Sequence, residues 1–152
     1  MDSQIIIRKY NHSEDFEVYT KVIKLTNPWL DDPAGELLAI FQKVGNNNIW
    51  VAIKEKLCGF MLLSDNSDGS LEIDWLDIHP DYQKQGIGSQ LVNHALLVAK
   101  NGNYKFLSLH TSVNNRGMIS ICEKYDFGRF QEIKNFYGSN KHAIHYLKSL
   151  IE

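Results

Sequence analysis

Between Leu71 and Lys100 the spacing of apolar positions changes period once, and that change locates the centre of the chain. Leu71, Ile73 and Trp75 alternate with Glu72, Asp74 and Leu76. A period of two predicts a strand over 71–78, with Glu72 and Asp74 projecting from one face. His79-Pro80-Asp81 ends it, because proline has no N–H for a ladder and biases the preceding residue away from helix. From Ile87 the period becomes helical: Ile87, Leu91, Ala95 and Val98 share a face, with Val92, Leu96 and Ala99 beside them. Between strand and helix lies Gln83-Lys84-Gln85-Gly86-Ile87-Gly88-Ser89. Its two glycines let backbone come close to a ligand, and the amides of a helix start carry partial positive charge suited to phosphate.

The same reading orders the rest of the chain. Residues 4–10 form a short β-branched run and a first strand. Ser13 can cap a helix with Glu14 and Asp15 in its first turn and Phe16, Tyr19 and Ile23 on its buried face. Asn27-Pro28-Trp29-Leu30 breaks that helix. Asp32-Pro33 starts another as cap and first helical position, with Leu37, Leu38, Phe41 and Val44 as its stripe and Gly45 and Asn46–Asn48 as its stop. Residues 49–54 and 57–64 predict a hairpin through Glu55-Lys56, and 65–70, DNSDGS, a polar turn into the central strand. Asn101-Gly102-Asn103 ends the central helix, and a strand follows over 104–110. Asn114 or Asn115 caps a last helix with Met118, Ile121, Cys122 and Tyr125 on its apolar side, and strands over 127–134 and 142–147 close the chain. The predicted order is β-α-α-β-β-β-α-β-α-β-β.

Composition narrows the class of molecule. A chain of 152 residues with 43% hydrophobic and 22% charged positions suits one folded domain, here taken as 1–152. No run approaches the ~20 apolar residues of a membrane span, and MDSQIIIRKY is too short in its apolar part for a signal peptide. A net charge of −2 offers no electrostatic argument for nucleic acid. Cys58 and Cys122 are far apart and lack metal-type spacing, so a reducing cytoplasm is expected. His142-x-x-His145 by itself reads as strand surface, and no metal is expected.

Gln83-x-x-Gly86-x-Gly88, with its preceding strand, its His-Pro-Asp-Tyr loop and the following Leu91-Val92, resembles the acetyl-CoA-binding signature of the GNAT superfamily of N-acetyltransferases, Gln/Arg-x-x-Gly-x-Gly/Ala. A Walker loop is excluded, since no Gly-Lys-Ser/Thr follows, and the three-glycine Rossmann spacing is absent. A second patch, Ser108 to Phe127, looks like the family's strand, asparagine, helix and Tyr-Glu-Lys-x-Gly-Phe pattern. The element order also matches that fold over the whole chain. The resemblance therefore implies an α/β (α+β) GNAT fold, a mixed sheet of about seven strands flanked by about four helices.

It also implies roles. Leu76, Asp77 and Ile78 would offer backbone groups to pantetheine, while Lys84, Gln85, Gly86, Ile87, Gly88 and Ser89 would hold the pyrophosphate; Gln83, which opens the signature, would be a further cofactor-binding residue. Asn115 falls on the family asparagine that helps hold the cofactor, and it can be a helix cap as well. Cys122 stands where the family has the tyrosine that protonates the leaving thiolate, and Asp126 where it has glycine. An unperturbed thiol, titrating near ~8.5, can donate a proton. Cysteine in an apolar stripe equally reads as core, and Tyr125 offers a hydroxyl one turn along. Glu72 occupies the position where several GNAT enzymes carry a basic glutamate; Asp74 is the alternative, and both can also simply face solvent.

The expected activity is transfer of an acetyl group from acetyl-CoA to a primary amine by direct attack. The alternative is a CoA-binding regulatory or interaction domain with little catalysis. Asp31, Asp32, Glu36, Glu72 and Asp74 would give an acidic mouth suited to a cationic amine. Asn135-Phe136-Tyr137 resembles the paired aromatic loop of ribosomal-protein N-terminal acetyltransferases, which makes a peptide α-amine one acceptor. A polyamine, an aminoglycoside or an amino acid stays open, and so does a homodimer; no nucleic-acid or membrane partner is expected.

Overall fold

Among the described residues, seven strands and four helices follow one another in the order the sequence predicts. A computed structural model describes residues 4–44 and 48–151. The strands are β1 (Ile6–Lys9), β2 (Ile49–Lys54), β3 (Lys56–Asp65), β4 (Ser70–Ile78), β5 (Phe106–Ser112), β6 (Gly128–Ile133) and β7 (Ala143–Ser149). The helices are α1 (His12–Thr26), α2 (Pro33–Val44), α3 (Ile87–Asn101) and α4 (Arg116–Lys124), with a 3-10 turn at Pro80–Tyr82. The sheet order is β1-β2-β3-β4-β5-β7-β6. It is mixed, because β4 and β5 run parallel while β1–β2, β2–β3, β5–β7 and β6–β7 are antiparallel. The chain divides into two compact units, and neither is a continuous segment: 1–62 with 75–91, and 63–74 with 92–152.

The first unit packs α1 and α2 on the β1–β3 ladder. Tyr19, Ile23, Leu37, Ile49, Val51 and Phe60 are fully buried there, and the rings of Tyr19 and Phe60 stack at 4.0 Å. Burying such side chains contributes about 1.5–3 kcal/mol each. The start of α1 differs from the expected Ser13 cap. Asn11 holds the cap position, and Ser13 donates its hydroxyl to Asn11 Oδ1 at 2.8 Å. Asp15 decides the matter by accepting the Asn11 amide at 2.7 Å and both Arg8 nitrogens at 2.8 Å. A carboxylate only 3% exposed needs that pairing, since a lone buried charge is prohibitive.

Elsewhere local chemistry acts as expected. Asp32 Oδ1 caps α2 through the Gly35 amide at 3.1 Å. The hairpin turn is shorter than the expected Glu55-Lys56: Glu55 alone turns β2 into β3 at φ +66°, and Lys56 already pairs with Lys54. Within the α2 stripe Leu37 is buried and Leu38 is 45% exposed; the expected Phe41 and Val44 side chains, and the stop at 45–47, lie outside the described residues.

In the second unit β5 is the shared partner. Glu72 stands opposite Ser108 on one side, and His110 stands opposite His145 on the other. Val92, Ala95, Leu96 and Ala99 of α3 and Cys122 of α4 are buried. Asp126 takes the left-handed conformation expected after α4, at φ +60°, and Phe127 N then returns to Cys122 O at 2.9 Å.

Candidate functional site

In the first unit, the expected phosphate-binding residues form a single exposed turn opening α3. His79 Nδ1 accepts the Asp81 amide at 3.0 Å and starts the 3-10 turn. Gln83 Nε2 reaches back to the Ile78 carbonyl at 3.2 Å, and Gln85 Nε2 to the Asp81 carbonyl at 3.3 Å. Lys54 Nζ donates to Gln85 Oε1 at 2.8 Å, which ties the turn to β2. Lys84 at φ +62° and Gly86 at φ +83° fold the backbone tightly. A Cβ at Gly86 would meet nothing within 4 Å, so the space over this turn is open. The first helical bond here is Gln90 N to Gly86 O at 3.0 Å. The amides of Ile87 and Gly88 come before it, where the helix dipole favours an anion. Gly59 lies beneath, its missing side chain leaving room: a Cβ there would sit 3.1 Å from Ala52 Cβ and 3.3 Å from both Ile78 Cδ1 and Ile87 Cγ2.

The backbone of Leu76, Asp77 and Ile78 leads into this turn, and the Asp77 side chain has a role the sequence reading missed. Its Oδ2 receives Trp75 Nε1 at 2.8 Å, Tyr19 Oη at 3.0 Å, Thr26 Oγ1 at 3.1 Å and Asn27 Nδ2 at 3.1 Å. One carboxylate thus ties the end of α1 to β4. Near that end, an open cleft of about 540 Å³ is lined by Trp29, Leu30, Asp31, Asp32 and Glu36. Three of the five carboxylates expected to attract a cationic acceptor are gathered there.

In the second unit Glu72 is the centre of a polar cluster. Its Oε1 accepts the Ser108 hydroxyl at 3.3 Å and lies 3.3 Å from His110 Nδ1. Ser108 Oγ is also 2.9 Å from His145 Nε2. The rings of His110 and His145 stack at 4.2 Å, Phe136 stacks on His110 at 4.8 Å, and Phe130 meets His145 edge-on. Burial and the neighbouring His110 lower the His145 pKa, with Glu72 opposing. Burial and the charge of Glu72 raise that of Tyr137.

Ligand-type atoms of Glu72, His110 and His145 lie within 4.8 Å of one another. The two imidazole planes are 12° from parallel, however, so lone pairs lying in those planes do not converge on one ion. The arrangement suits proton transfer.

Two expectations change here. Asp74 does not join Glu72: it is exposed and accepts the Ser64 hydroxyl at 3.1 Å. His142 and His145 part company, because His142 Nδ1 holds the Asn135 amide at 2.9 Å while His145 turns into the cluster. Ser108 and His110 were legible as alternate residues of one strand, but their meeting with Glu72 and His145 depends on register. In α4, Asn115 Oδ1 caps the helix through the Met118 amide at 3.1 Å. Cys122 is fully buried, and burial, with the charge of Glu123, pushes its thiol up to about 12. Tyr125 is half-buried at the end of the same helix.

Residues 10–127 match the acetyltransferase (GNAT) family. The chain is 31% identical over 75 residues to N-alpha-acetyltransferase 30 of Schizosaccharomyces pombe, a stretch covering 49% of this chain and 50% of that protein. It thus spans half or less of the length of the curated relatives it matches. Among solved structures it is similar to the ribosomal-protein-S18-alanine N-acetyltransferase of Escherichia coli, with TM-score 0.81, 16% identity and coverage of 98% and 96% of the two chains. A GNAT family acetyltransferase of Elizabethkingia anophelis with acetyl-CoA bound gives TM-score 0.76, 23% identity and coverage of 96% and 98%. These likenesses are to the fold.

Proposed function

The chain belongs to the acetyltransferase (GNAT) family, and from that premise we propose that it transfers an acetyl group from acetyl-CoA to a primary amine, specifically the α-amine of a peptide or protein. The observation that carries this reading is the Glu72 cluster, a carboxylate set against His110 and Ser108 and flanked by Phe136 and Tyr137. The partial match to an N-alpha-acetyltransferase supports the peptide acceptor.

Acetyl-CoA supplies the activated acetyl group, and the protein's own residues bind and handle protons. The amides and open space of the Gln83–Ser89 turn suit its pyrophosphate, Lys84 adds charge, and the backbone at Leu76, Asp77 and Ile78 suits its pantetheine arm. Asn115 is proposed as a further cofactor contact. An ammonium ion must lose a proton before its nitrogen can attack, and α-amines titrate near ~8. Glu72, backed by His110, takes that proton. Cys122 is not given an acid's role: a fully buried thiol at about 12 keeps its proton, and a thiolate leaves with little assistance.

Glu72→Gln keeps shape but removes the acceptor. Turnover with free-amine peptides, followed by CoA thiol release, should fall by about 10²–10⁴ at neutral pH, with the loss shrinking as the amine deprotonates itself. Unchanged turnover in this variant refutes the assignment. Acetyl-CoA binding without turnover across peptides and small amines would instead support a CoA-binding module.

A further inference from the structure

We infer that Ser108 and His145 form a relay that carries the amine proton away from Glu72; this rests on the base role proposed above. The geometry is a chain with a single branch. Glu72 Oε1 is 3.3 Å from Ser108 Oγ, and Ser108 Oγ is 2.9 Å from His145 Nε2. Ser108 is 2% exposed, so bulk water does not compete for its hydroxyl. A serine hydroxyl has one proton and two lone pairs, so it accepts from one neighbour while donating to the other. Register places the three groups on β4, β5 and β7, and the sheet holds them whatever the acceptor does.

The transfer balances without a co-reactant. The ammonium N–H breaks as a Glu72 O–H forms. Once Glu72 is protonated, the Ser108 hydroxyl turns from Glu72 toward His145, whose Nε2 carries the lone pair when its ring proton is on Nδ1. The Glu72 O–H then breaks as Ser108 Oγ gains its proton, and the original Ser108 O–H breaks as His145 Nε2–H forms. His145 is then an imidazolium and returns one proton to water. The groups facing it do not act alike: His110, stacked on its ring from β5, favours that release, Phe130 of β6 covers its edge, and Glu72 of β4 opposes it. Burial and His110 outweigh Glu72, and the pKa of His145 is lowered. A carrier that holds its proton weakly empties between turnovers. His110, by contrast, contacts Glu72 directly and stays with the acceptor side of the cluster.

Ser108 and His145 thus act through Glu72, as positioning and relay residues. The test is Ser108→Ala and His145→Gln beside Glu72→Gln, with acetyl-CoA and the free-amine peptide that turns over best. His145→Gln retains a hydrogen-bonding group but cannot titrate, and His145→Asn replaces it if it does not fold. The relay predicts a kcat at neutral pH lower by about tenfold or more, with KM for acetyl-CoA unchanged. The loss should fade as pH rises, and added imidazole should restore part of it to His145→Gln. Independently of turnover, the NMR titration of His145 should shift in Ser108→Ala. Wild-type kcat in both variants at every pH overturns the relay, as does a loss that neither pH nor imidazole relieves, which would mean packing. If Glu72→Gln is impaired while both relay variants are normal, the relay alone falls. If Glu72→Gln is itself fully active, the base assignment falls with it.

Discussion

Replacing Asp77 by alanine tests whether one carboxylate holds the end of α1 to β4. Four donors converge on its Oδ2, but they do not lose equally. Thr26 Oγ1 also reaches the carbonyls of Val22 at 3.3 Å and Ile23 at 3.2 Å, and Asn27 Nδ2 reaches Ile23 O at 3.3 Å and Thr26 Oγ1 at 2.8 Å. These two retain partners. Tyr19, fully buried, and Trp75, half-buried, lose an acceptor that water does not easily replace. A stranded buried donor costs about 1–3 kcal/mol, so two give about 2–6, centred near 4 kcal/mol. At roughly 2–4 °C per kcal/mol for a chain of this size, Tm should drop by about 8–16 °C. Asp77→Asn, which keeps an oxygen in place, should lose about half as much. Urea unfolding measures both.

The sharper arm of that experiment is a double variant. If the orphaned phenol is the source of the cost, Tyr19→Phe in the Asp77→Ala background should recover about 1 kcal/mol, although alone it is destabilising. A loss below about 1 kcal/mol in Asp77→Ala, or no recovery in the double variant, refutes the anchoring argument.

Three further outcomes are expected. Acetyl-CoA at a hundredfold excess over its Kd should stabilise the protein by about 2.7 kcal/mol. Gly86→Val should abolish that thermal shift, because its φ of +83° and open space suit backbone contact with a ligand; a wild-type shift in a folded Gly86→Val protein removes the site. Both cysteines are fully buried with thiols shifted upward, so Ellman's reagent should find neither until the protein unfolds. Rapid reaction in the folded state, or an acetylated Cys122 found by mass spectrometry during turnover, would contradict the core role. Finally, burial lowers the pKa of His94 from 6.5, and that of His145 is lowered as well. The unfolded chain therefore binds protons first as pH falls, so stability present above about pH 6.5 should decline as pH drops through the folded values. Urea midpoints at pH 7.5 and 5.5 measure the decline, and His94→Gln should flatten it; an unchanged slope in His94→Gln would show that its burial is not the cause.

The sequence alone determined the elements and the form of one glycine-bearing turn, because both are written in neighbouring residues. Period-two and helical spacing need only local backbone geometry, so β4 and α3 emerged within a residue or two of their observed ends. The Gln83–Ser89 turn was legible for the same reason: the glycines, the proline before them and the helix start are consecutive. Caps followed where one side chain serves one nearby amide, as at Asp32 and Asn115. The prediction failed at Ser13, where Arg8 on a different element draws Asp15 into the core and shifts the cap to Asn11.

Tertiary structure decided what the polar residues do. Glu72 and Asp74 looked equivalent on one strand, and only the pairing of β4 with β5 sets Glu72 opposite Ser108 while Asp74 remains exposed. His110 and His145 are 35 residues apart and meet because β5 and β7 pair in the register that makes them partners. Strand register carries no local code that Glu72 or His145 could have revealed. It is chosen by the burial of whole faces, Leu107, Leu109, Ile144 and Tyr146 among them. The same holds for Asp77, whose partners lie some 50 residues away on α1 and beyond its end. Chemistry assembled across a sheet appears only after the sheet has closed its core.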